Sequence, residues 1–532
     1  MASDHPKGIL KMPVVPEQER TPLVVALLEI IQAQQEQIQA LKDEIARLKG
    51  LKPRPKIRPS KLESGCRSGR KGKKSKRPGS VKRRKTGKLT IHETHVVSPD
   101  NLPDGSRFKG YDEYTVQDIK FCAYNTRYRL ERWRLPSGDY VVGQLPDAVA
   151  GGHFGLMLVS FVLYQYYHAH VTQPLILEQL LELGIAISAG KVNEIITEGQ
   201  ERFHAEKDEI LRAGLEVSRY VHVDDTGARH QGRNGYCTHI GNELFAWFES
   251  TESKSRINFL KLLRAGHTDY VLNDDALEYM RAHRLPELQL KKLAAHGTKT
   301  LSDEARWAAT LKGLEITDER HVRIATEGGL LGSVFDHGLN PALVIMSDDA
   351  GQFNVLLHAL CWIHAERTIN KLVGFNDKQR EAVAEMRTKI WDLYDDLKAY
   401  KQAPSEDEKA KLDARFDEIF STQTCYVSLN LALKRLQRNK SELLLVLEHP
   451  EIPLHNNLSE QDIREYVKKR KISGSTRSEL GRRCRDTFTS LKKTCRKLGV
   501  SFWEYLQDRV CGRNAIPPLP ELIRRRARDS LV

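Results

Sequence analysis

No two cysteines in this 532-residue chain are spaced as Cys-x-x-Cys. The eight cysteines stand singly at positions 66, 122, 237, 361, 425, 484, 495 and 511. That spacing argues against a disulfide framework and leaves a zinc ribbon without its paired thiolates. Zinc is not an expected cofactor. Long apolar runs are also missing. The longest, Phe154–Leu163, includes a serine and falls well short of the roughly 20 residues that a membrane span needs. Residues 1–16 lack the basic start and apolar core of an export leader. The expected location is therefore the cytoplasm, with no membrane partner. Acids are nearly absent from one stretch. Between Lys52 and Lys88 stand 17 Lys and Arg against one acid, Glu63, while the whole chain carries +14. The positive excess thus belongs to one segment, which gains free energy by displacing counterions from phosphates without reading bases. Lys73, Lys74, Arg83 and Arg84 lie at its centre.

What is present divides the chain. At 532 residues it has room for about three domains. Residues 1–20 are Pro-rich and polar, and read as a disordered tail. Over 21–50, Val24, Leu27, Ile31, Ile38, Leu41, Ile45 and Leu48 recur at steps of three and four, interrupted at Gln34. This is a short coiled-coil seam, and its apolar stripe needs a partner, so a homo-oligomer is expected. Residues 51–89 form a basic, Pro- and Gly-containing linker. Residues 90–145 hold short β-branched and aromatic runs between turn clusters and predict a small β-rich module.

A helical module follows at 146–212. Pro174–Leu183 predicts one helix, Gly184 a break, and Ser188 the N-cap of a second helix carrying Lys191. Helix, turn, helix is the spacing of a DNA-binding helix pair. Strand-like alternation at 217–250 and a buried run at Pro341–Met346 predict an α/β domain over 217–480. It has insertions at about 252–340 and 376–447. Residues 481–532 read as a basic helical tail.

Three acids close apolar runs or open a helix in that domain. Asp224 ends Tyr220-Val221-His222-Val223, and Asp348 follows Leu343-Val344-Ile345-Met346-Ser347. Glu460 follows Asn456-Asn457-Leu458-Ser459 at a predicted helix start. Two strand-end carboxylates and one helical carboxylate can converge on hard divalent cations such as magnesium or manganese. Two such ions suit in-line phosphoryl transfer. Pattern alone does not separate Asp224 from Asp225 or Asp348 from Asp349. Nor does it exclude Asp274-Asp275, which follows Tyr270-Val271-Leu272.

The surrounding blocks resemble the transposases of the insertion sequence 66 family. The Asp224-Asp225-Thr226-Gly227 block is similar to that family's first catalytic block. Asp348-Asp349-Ala350-Gly351-Gln352-Phe353, followed by Cys361-Trp362-Ile363-His364-Ala365-Glu366-Arg367, resembles the second. Asn456-Asn457-Leu458-Ser459-Glu460, with Arg470-Lys471 and Gly474-Ser475 beyond, resembles the third. The resemblance ranks Asp224, Asp348 and Glu460 as the catalytic, metal-holding triad and sets Asp274-Asp275 aside. It implies a ribonuclease H-like core, two divalent ions, and DNA partners at element ends and target, with accessory proteins. Two features depart from the family. Cys66 and Cys122 are single where the family has cysteine pairs, and His455 and Gln461 replace Asp and Arg beside the third block.

Cys361 and His364 are two ligands at most, too few for a zinc site, and read as a packed thiol and a hydrogen-bonded ring. With Asn456 and Asn457 they are expected to support the acids. Lys468, Lys469, Arg470 and Lys471 are expected to meet DNA phosphates. The expected activity is metal-dependent DNA cleavage and strand transfer. The alternatives are a nuclease of the same fold that does not join strands, and a DNA-binding protein that has lost catalysis.

Overall fold

The computed structural model describes residues 24, 91–98, 106–112, 114–146 and 152–529. The chain divides into two units, residues 1–120 and 121–532. The coiled coil and the basic linker, with Lys73, Lys74, Arg83 and Arg84, lie outside the described residues, Val24 apart. In the first unit residues 91–98, 106–112 and 114–120 are exposed and enter no strand or helix.

Among the described residues of the β-rich module expected over 90–145, the strands form one hairpin, in the second unit. Strand β1 (Arg132–Arg134) pairs antiparallel with β2 (Tyr140–Val142). Every residue of both strands is exposed. Their β-branched and aromatic residues suit a strand, but two strands of this length bury no face. Strand propensity without packing does not build a sheet.

From Leu156 the chain is helical: α1 (Leu156–Leu163), a π-turn at Tyr164–His168, α2 (Gln173–Glu182), α3 (Ala189–Thr197) and α4 (Glu201–Val217). The predicted helix pair is α2 and α3. Gly184 supplies the left-handed turn between them at φ 78°. The Ser188 hydroxyl accepts the Lys191 N–H at 3.2 Å, as its N-cap position requires.

Strands β3 (Tyr220–His230), β4 (Arg233–Gly241) and β5 (Ala246–Thr251) form an antiparallel meander. The next segment leaves the sheet. It runs through α5 (Arg256–Leu263), a ribbon of β6 (Tyr270–Val271) and β7 (Thr300–Leu301), and helices α6 (Asp274–Ala282), α7 (Glu287–Ala294) and α8 (Glu304–Gly313). It returns through α9 (Glu319–Asp336). Strands β8 (Val344–Ser347) and β9 (Leu357–Leu360) then join the sheet parallel to β3, giving the order β5-β4-β3-β8-β9. Sequence reading anticipated β8 and missed β9. Leu-His-Ala-Leu has no β-branched residue, and three of its four residues are buried, so no alternation marks it.

After β9 come α10 (Trp362–Asn370), α11 (Asp377–Tyr400), α12 (Glu406–Phe420), α13 (Val427–Arg438) and a short α14 (Lys440–Leu443). Helix α15 (Asn457–Ser473) carries the third acid and ends at Gly474, whose φ of 68° turns the chain out of the helix.

The expected basic tail is part of the body. Helix α16 (Glu479–Lys497) covers the free edge of β5. Asp486, Ser490 and Thr494 accept the N–H groups of Ser250, Phe248 and Ala246 at 2.8, 2.9 and 3.2 Å. Four residues of helix rise about 6 Å and two of strand about 6.6 Å, so a helix side chain meets every second edge N–H. This satisfies an edge that would otherwise stay open. Helices α17 (Phe502–Val510) and α18 (Leu519–Asp529) then close on the N-terminal helices. Residues of α1–α4, α16–α18, β3 and the 252–340 insertion share one buried core.

The side chains sort by parity. Val221, Val223, Ile240 and Ile345 enter that core on one face of the sheet. Val344 and Met346 enter a second core with α10–α13 on the opposite face, the face that α15 also covers.

Candidate active site

Asp224 lies within β3, and Asp348 immediately follows β8. The two strands are parallel, with His222 opposite Met346. Asp224 lies two residues beyond His222, and Asp348 two beyond Met346, just past the end of the ladder. Residues two apart on a strand share a face, so Asp224 lies on the face of His222, which α15 covers. Asp348 is near enough for its charge to act on Asp224.

Helix α15 is fastened there by its first residues. Asn456 is its N-cap residue, yet its side chain does not cap the helix. Its amide donates to the carbonyl of Val223 at 2.8 Å, and its Oδ1 meets His222 Nδ1 at 2.8 Å. Ser459 Oγ meets His239 Nδ1 at 2.7 Å, and His239 stands opposite Asp224 on β4. These bonds hold the first turn of α15, which carries Glu460, over β3 and β4. Asn457 is the first residue of that helix.

Cys361 and Trp362 hold the other side of the same segment. Cys361 is buried, and its Sγ accepts the Asn456 N–H at 3.2 Å. Burial pushes its thiol above the ordinary value. Trp362 donates its backbone N–H to Leu454 O at 3.0 Å and its indole N–H to Leu443 O at 2.9 Å. His364 and Arg367 approach Glu460 Oε1 at 3.6 and 3.2 Å. Burial first and Arg367 second lower the His364 pKa, while Asp348 and Glu460 oppose them. His364 therefore lies within the field of both acids.

Burial first, and then the charges of Asp348 and Asp225, push Asp224 up to about 7, against the opposing hydrogen bond from the Asp225 N–H at 2.7 Å. Asp348 Oδ1 is buried without a hydrogen-bond partner. A crowded pair of carboxylates with an orphaned oxygen is the electrostatic setting that a divalent cation relieves. The donor set of Asp224, Asp348 and Glu460 is all oxygen and fits a hard cation. The three do not yet converge as a set. Among the described residues, the one group of three that meets within 4.8 Å is His267, Asp269 and His337, in the 252–340 insertion.

The neighbouring acids are otherwise engaged. Asp225 accepts from Thr238 Oγ1 at 2.5 Å and Gln352 Nε2 at 3.0 Å. Asp349 pairs with Arg435 and accepts from Asn439 at 3.4 Å. Asp274 and Asp275 form the first turn of α6, where negative charge complements the helix dipole.

The expected phosphate contacts divide. Arg470 is committed to β3, donating to Thr226 Oγ1 at 3.2 Å and to Gly227 O. Lys469 is buried, lies 3.4 Å above the Tyr166 ring and donates to Tyr166 O at 2.7 Å. Burial lowers its pKa to about 7. Lys191 pairs with Glu194 one turn on. Lys468 and Lys471 are exposed, the former 3.8 Å from Glu465.

Sequence reading missed the buried ionic network under α15. Asp462 faces His239 at 3.3 Å, with Lys493 and Lys497 each at 2.8 Å. Glu465 meets His170 at 2.7 Å and Lys492 at 2.5 Å. The acids at 462, 465 and 486, interspersed among the Lys and Arg of this block, were the available signal.

Residues 333–483 match the family described as Transposase IS66 family, a span that holds Asp348 and Glu460 but not Asp224. The chain is 46% identical over 321 residues to an uncharacterized protein, y4jO, of Sinorhizobium fredii (strain NBRC 101917 / NGR234). The match covers 60% of this chain and all of that relative. Among the described residues no helix is long and apolar enough to cross a membrane. With a mixed α/β body, the second and third blocks inside the matched span and a relative covered end to end, the chain belongs to the IS66 family of transposases.

Proposed function

We propose that the chain binds the ends of a mobile DNA element and carries out metal-dependent cleavage and strand transfer at Asp224, Asp348 and Glu460. One observation carries this reading. Asp224 in β3 and Asp348 just past the parallel β8 lie near enough for the charge of Asp348 to push Asp224 up, the helix that bears Glu460 packs on β3, and Asp348 presents a buried oxygen without a partner. The meander β3-β4-β5, continued by parallel β8 and β9, supports a ribonuclease H-like core.

Asp224, Asp348 and Glu460 would hold two magnesium or manganese ions, which supply Lewis-acid stabilisation of the attacking and leaving oxygens. The chain's own residues do the positioning. Asn456 fixes the start of α15 to the residue before Asp224. Arg367 balances the Glu460 carboxylate, and Lys254 favours the ionised form of Asp224. Exposed Lys468 and Lys471 offer phosphate contacts. The coiled coil at 21–50 would pair protomers, and the basic segment at 51–89 would capture DNA.

The test is cleavage of an element-end duplex in magnesium or manganese, followed by joining of pre-cut ends to a target. Asp224→Ala, Asp348→Ala and Glu460→Ala should each lower cleavage by about a hundredfold or more, the loss typical when one electrostatic stabiliser of a transition state is removed. Undiminished cleavage in any of the three removes that residue from the site. Cleavage without joining would make the protein a nuclease of this fold.

A further inference from the structure

A cationic cleft borders the acids and is built by the 252–340 insertion. It encloses about 560 Å³ and is lined by Lys254, Arg256, His283, Arg320, Arg323 and Gln352, among others. Among the described residues that line it, the one acid is Glu327. Glu327 is buried, accepts from Tyr279 Oη at 2.8 Å and lies 3.6 Å from Arg256, so its charge is balanced inside the wall.

The cations have two kinds of role. Arg256 braces the wall, donating to Gly351 O at 2.9 Å and to Tyr279 Oη at 3.2 Å. It thereby fixes the loop that follows Asp348. Arg320 and Arg323 are exposed and sit one turn apart on α9. Arg320 reaches only the carbonyls of His283 and Arg284, at 3.3 and 3.4 Å. Lys254 is exposed, lies 5.3 Å above the Tyr236 ring, and is near enough to the acids to favour their ionised forms.

The cleft and the acids share one rim of the sheet. Gln352 lines the cleft and donates to Asp225, the residue beside Asp224 on the opposite face of β3. Lys254, which also lines the cleft, acts on both Asp224 and Asp225, so a polyanion lying along the cleft passes beside the acids. The wall has the planar, forked donors that suit phosphate oxygens.

We propose that this cleft is a track for the sugar-phosphate backbone of the DNA strand flanking the reacting bond, with Lys254, Arg320 and Arg323 as its phosphate contacts. This rests on the DNA-cleavage reading of the acids. The insertion thereby brings cations to the rim of a sheet whose own residues there are carboxylates. The contacts are to backbone, so they position DNA without selecting its sequence.

The experiment uses the full chain and a fluorescent element-end duplex, in EDTA, over a range of salt. Arg320→Ala combined with Arg323→Ala should raise Kd at least several-fold. Its log–log salt slope should be shallower by about two, near 0.9 for each phosphate no longer neutralised. Both side chains are exposed, so the fold is retained, which an unchanged melting temperature verifies. Lysine at both positions should restore most of the slope. An unchanged Kd and slope in the alanine variant, with wild-type cleavage intact, overturns the cleft and leaves the active site standing. The predicted salt signature together with a wild-type protein that cuts nothing in magnesium would overturn the catalytic reading and keep the cleft.

Discussion

The buried thiol of Cys361 accepts the backbone N–H of Asn456 at 3.2 Å, and so joins the segment after the second acid to the segment before the third. The two blocks that gave the sequence its family resemblance are one structural device. Cys361 and Trp362 grip residues 454–456 from one side, and β3 grips Asn456 from the other.

That device predicts the effect of Cys361→Ala. The Asn456 N–H would lose its acceptor in a buried place, which costs about 1–3 kcal/mol. Chemical denaturation should show the loss. Cleavage should fall further than stability, because Glu460 lies one turn beyond the loosened residue. Removing zinc with a selective chelator should leave the wild-type melting temperature unchanged. A drop that is absent from both Cys361→Ala and His364→Ala would mean that these two residues hold a metal.

Adjacent acids should behave differently. Asp348→Ala should abolish cleavage, whereas Asp349→Ala breaks a pair with Arg435 that is roughly half exposed. Pairs of that kind are worth about 0–1 kcal/mol, so Asp349→Ala should cleave near the wild-type rate. Asp225→Asn keeps an acceptor for Thr238 and should be far milder than Asp224→Asn. Equal losses at 348 and 349, measured as cleavage rate in magnesium, would show that register does not select the acid.

These pairs mark how much the sequence could disclose. Asp224 and Asp348 were visible because an apolar run ends in each. What occupies Asp225 and Asp349 instead are partners 13 to 127 residues away, Thr238, Gln352, Arg435 and Asn439, which no local pattern names. The helix pair at 173–197 was legible because proline, glycine and serine act locally. Strand β9 was not, because burial on both sides erases alternation. The block at 481–532, read as a basic helical tail, is helical, but its charge gave no sign that Arg485, Lys492, Lys493 and Arg509 are buried in ion pairs or hydrogen bonds to carbonyls.

If α16 closes the sheet edge, removing its hydroxyls should weaken the domain. Ser490→Ala leaves the buried Phe248 N–H without an acceptor, at about 1–3 kcal/mol. Thr494→Ala removes both a donor and an acceptor from Ala246, whose O it meets at 3.1 Å. Hydrogen exchange should show faster loss of protection in β5 than in β8. Truncation after residue 478 should give insoluble protein. A soluble, folded product would show that β5 does not need α16.

The network under α15 sets an acid limit on the fold. The hydrogen bond from His170 first, and then Lys492, hold the Glu465 carboxyl well below its ordinary value of 4.5 against the cost of burial. Lys468 also faces it, at 3.8 Å. Burial alone would raise Asp462, but His239 at 3.3 Å and the charges of Lys497 and Lys493 hold it low as well. A carboxyl with a depressed folded pKa binds fewer protons folded than unfolded. Its stabilisation is therefore complete above the unfolded value and is lost as pH falls through the folded one. Stability should decline progressively below about pH 4.5, as the unfolded chain takes up protons that these two acids refuse in the fold. Glu465→Gln should be less stable than wild type at pH 7, and the gap should narrow as the pH is lowered. Denaturation midpoints measured from pH 7 to pH 3 test this. A gap that stays constant with pH would mean that Glu465 contributes through packing rather than charge.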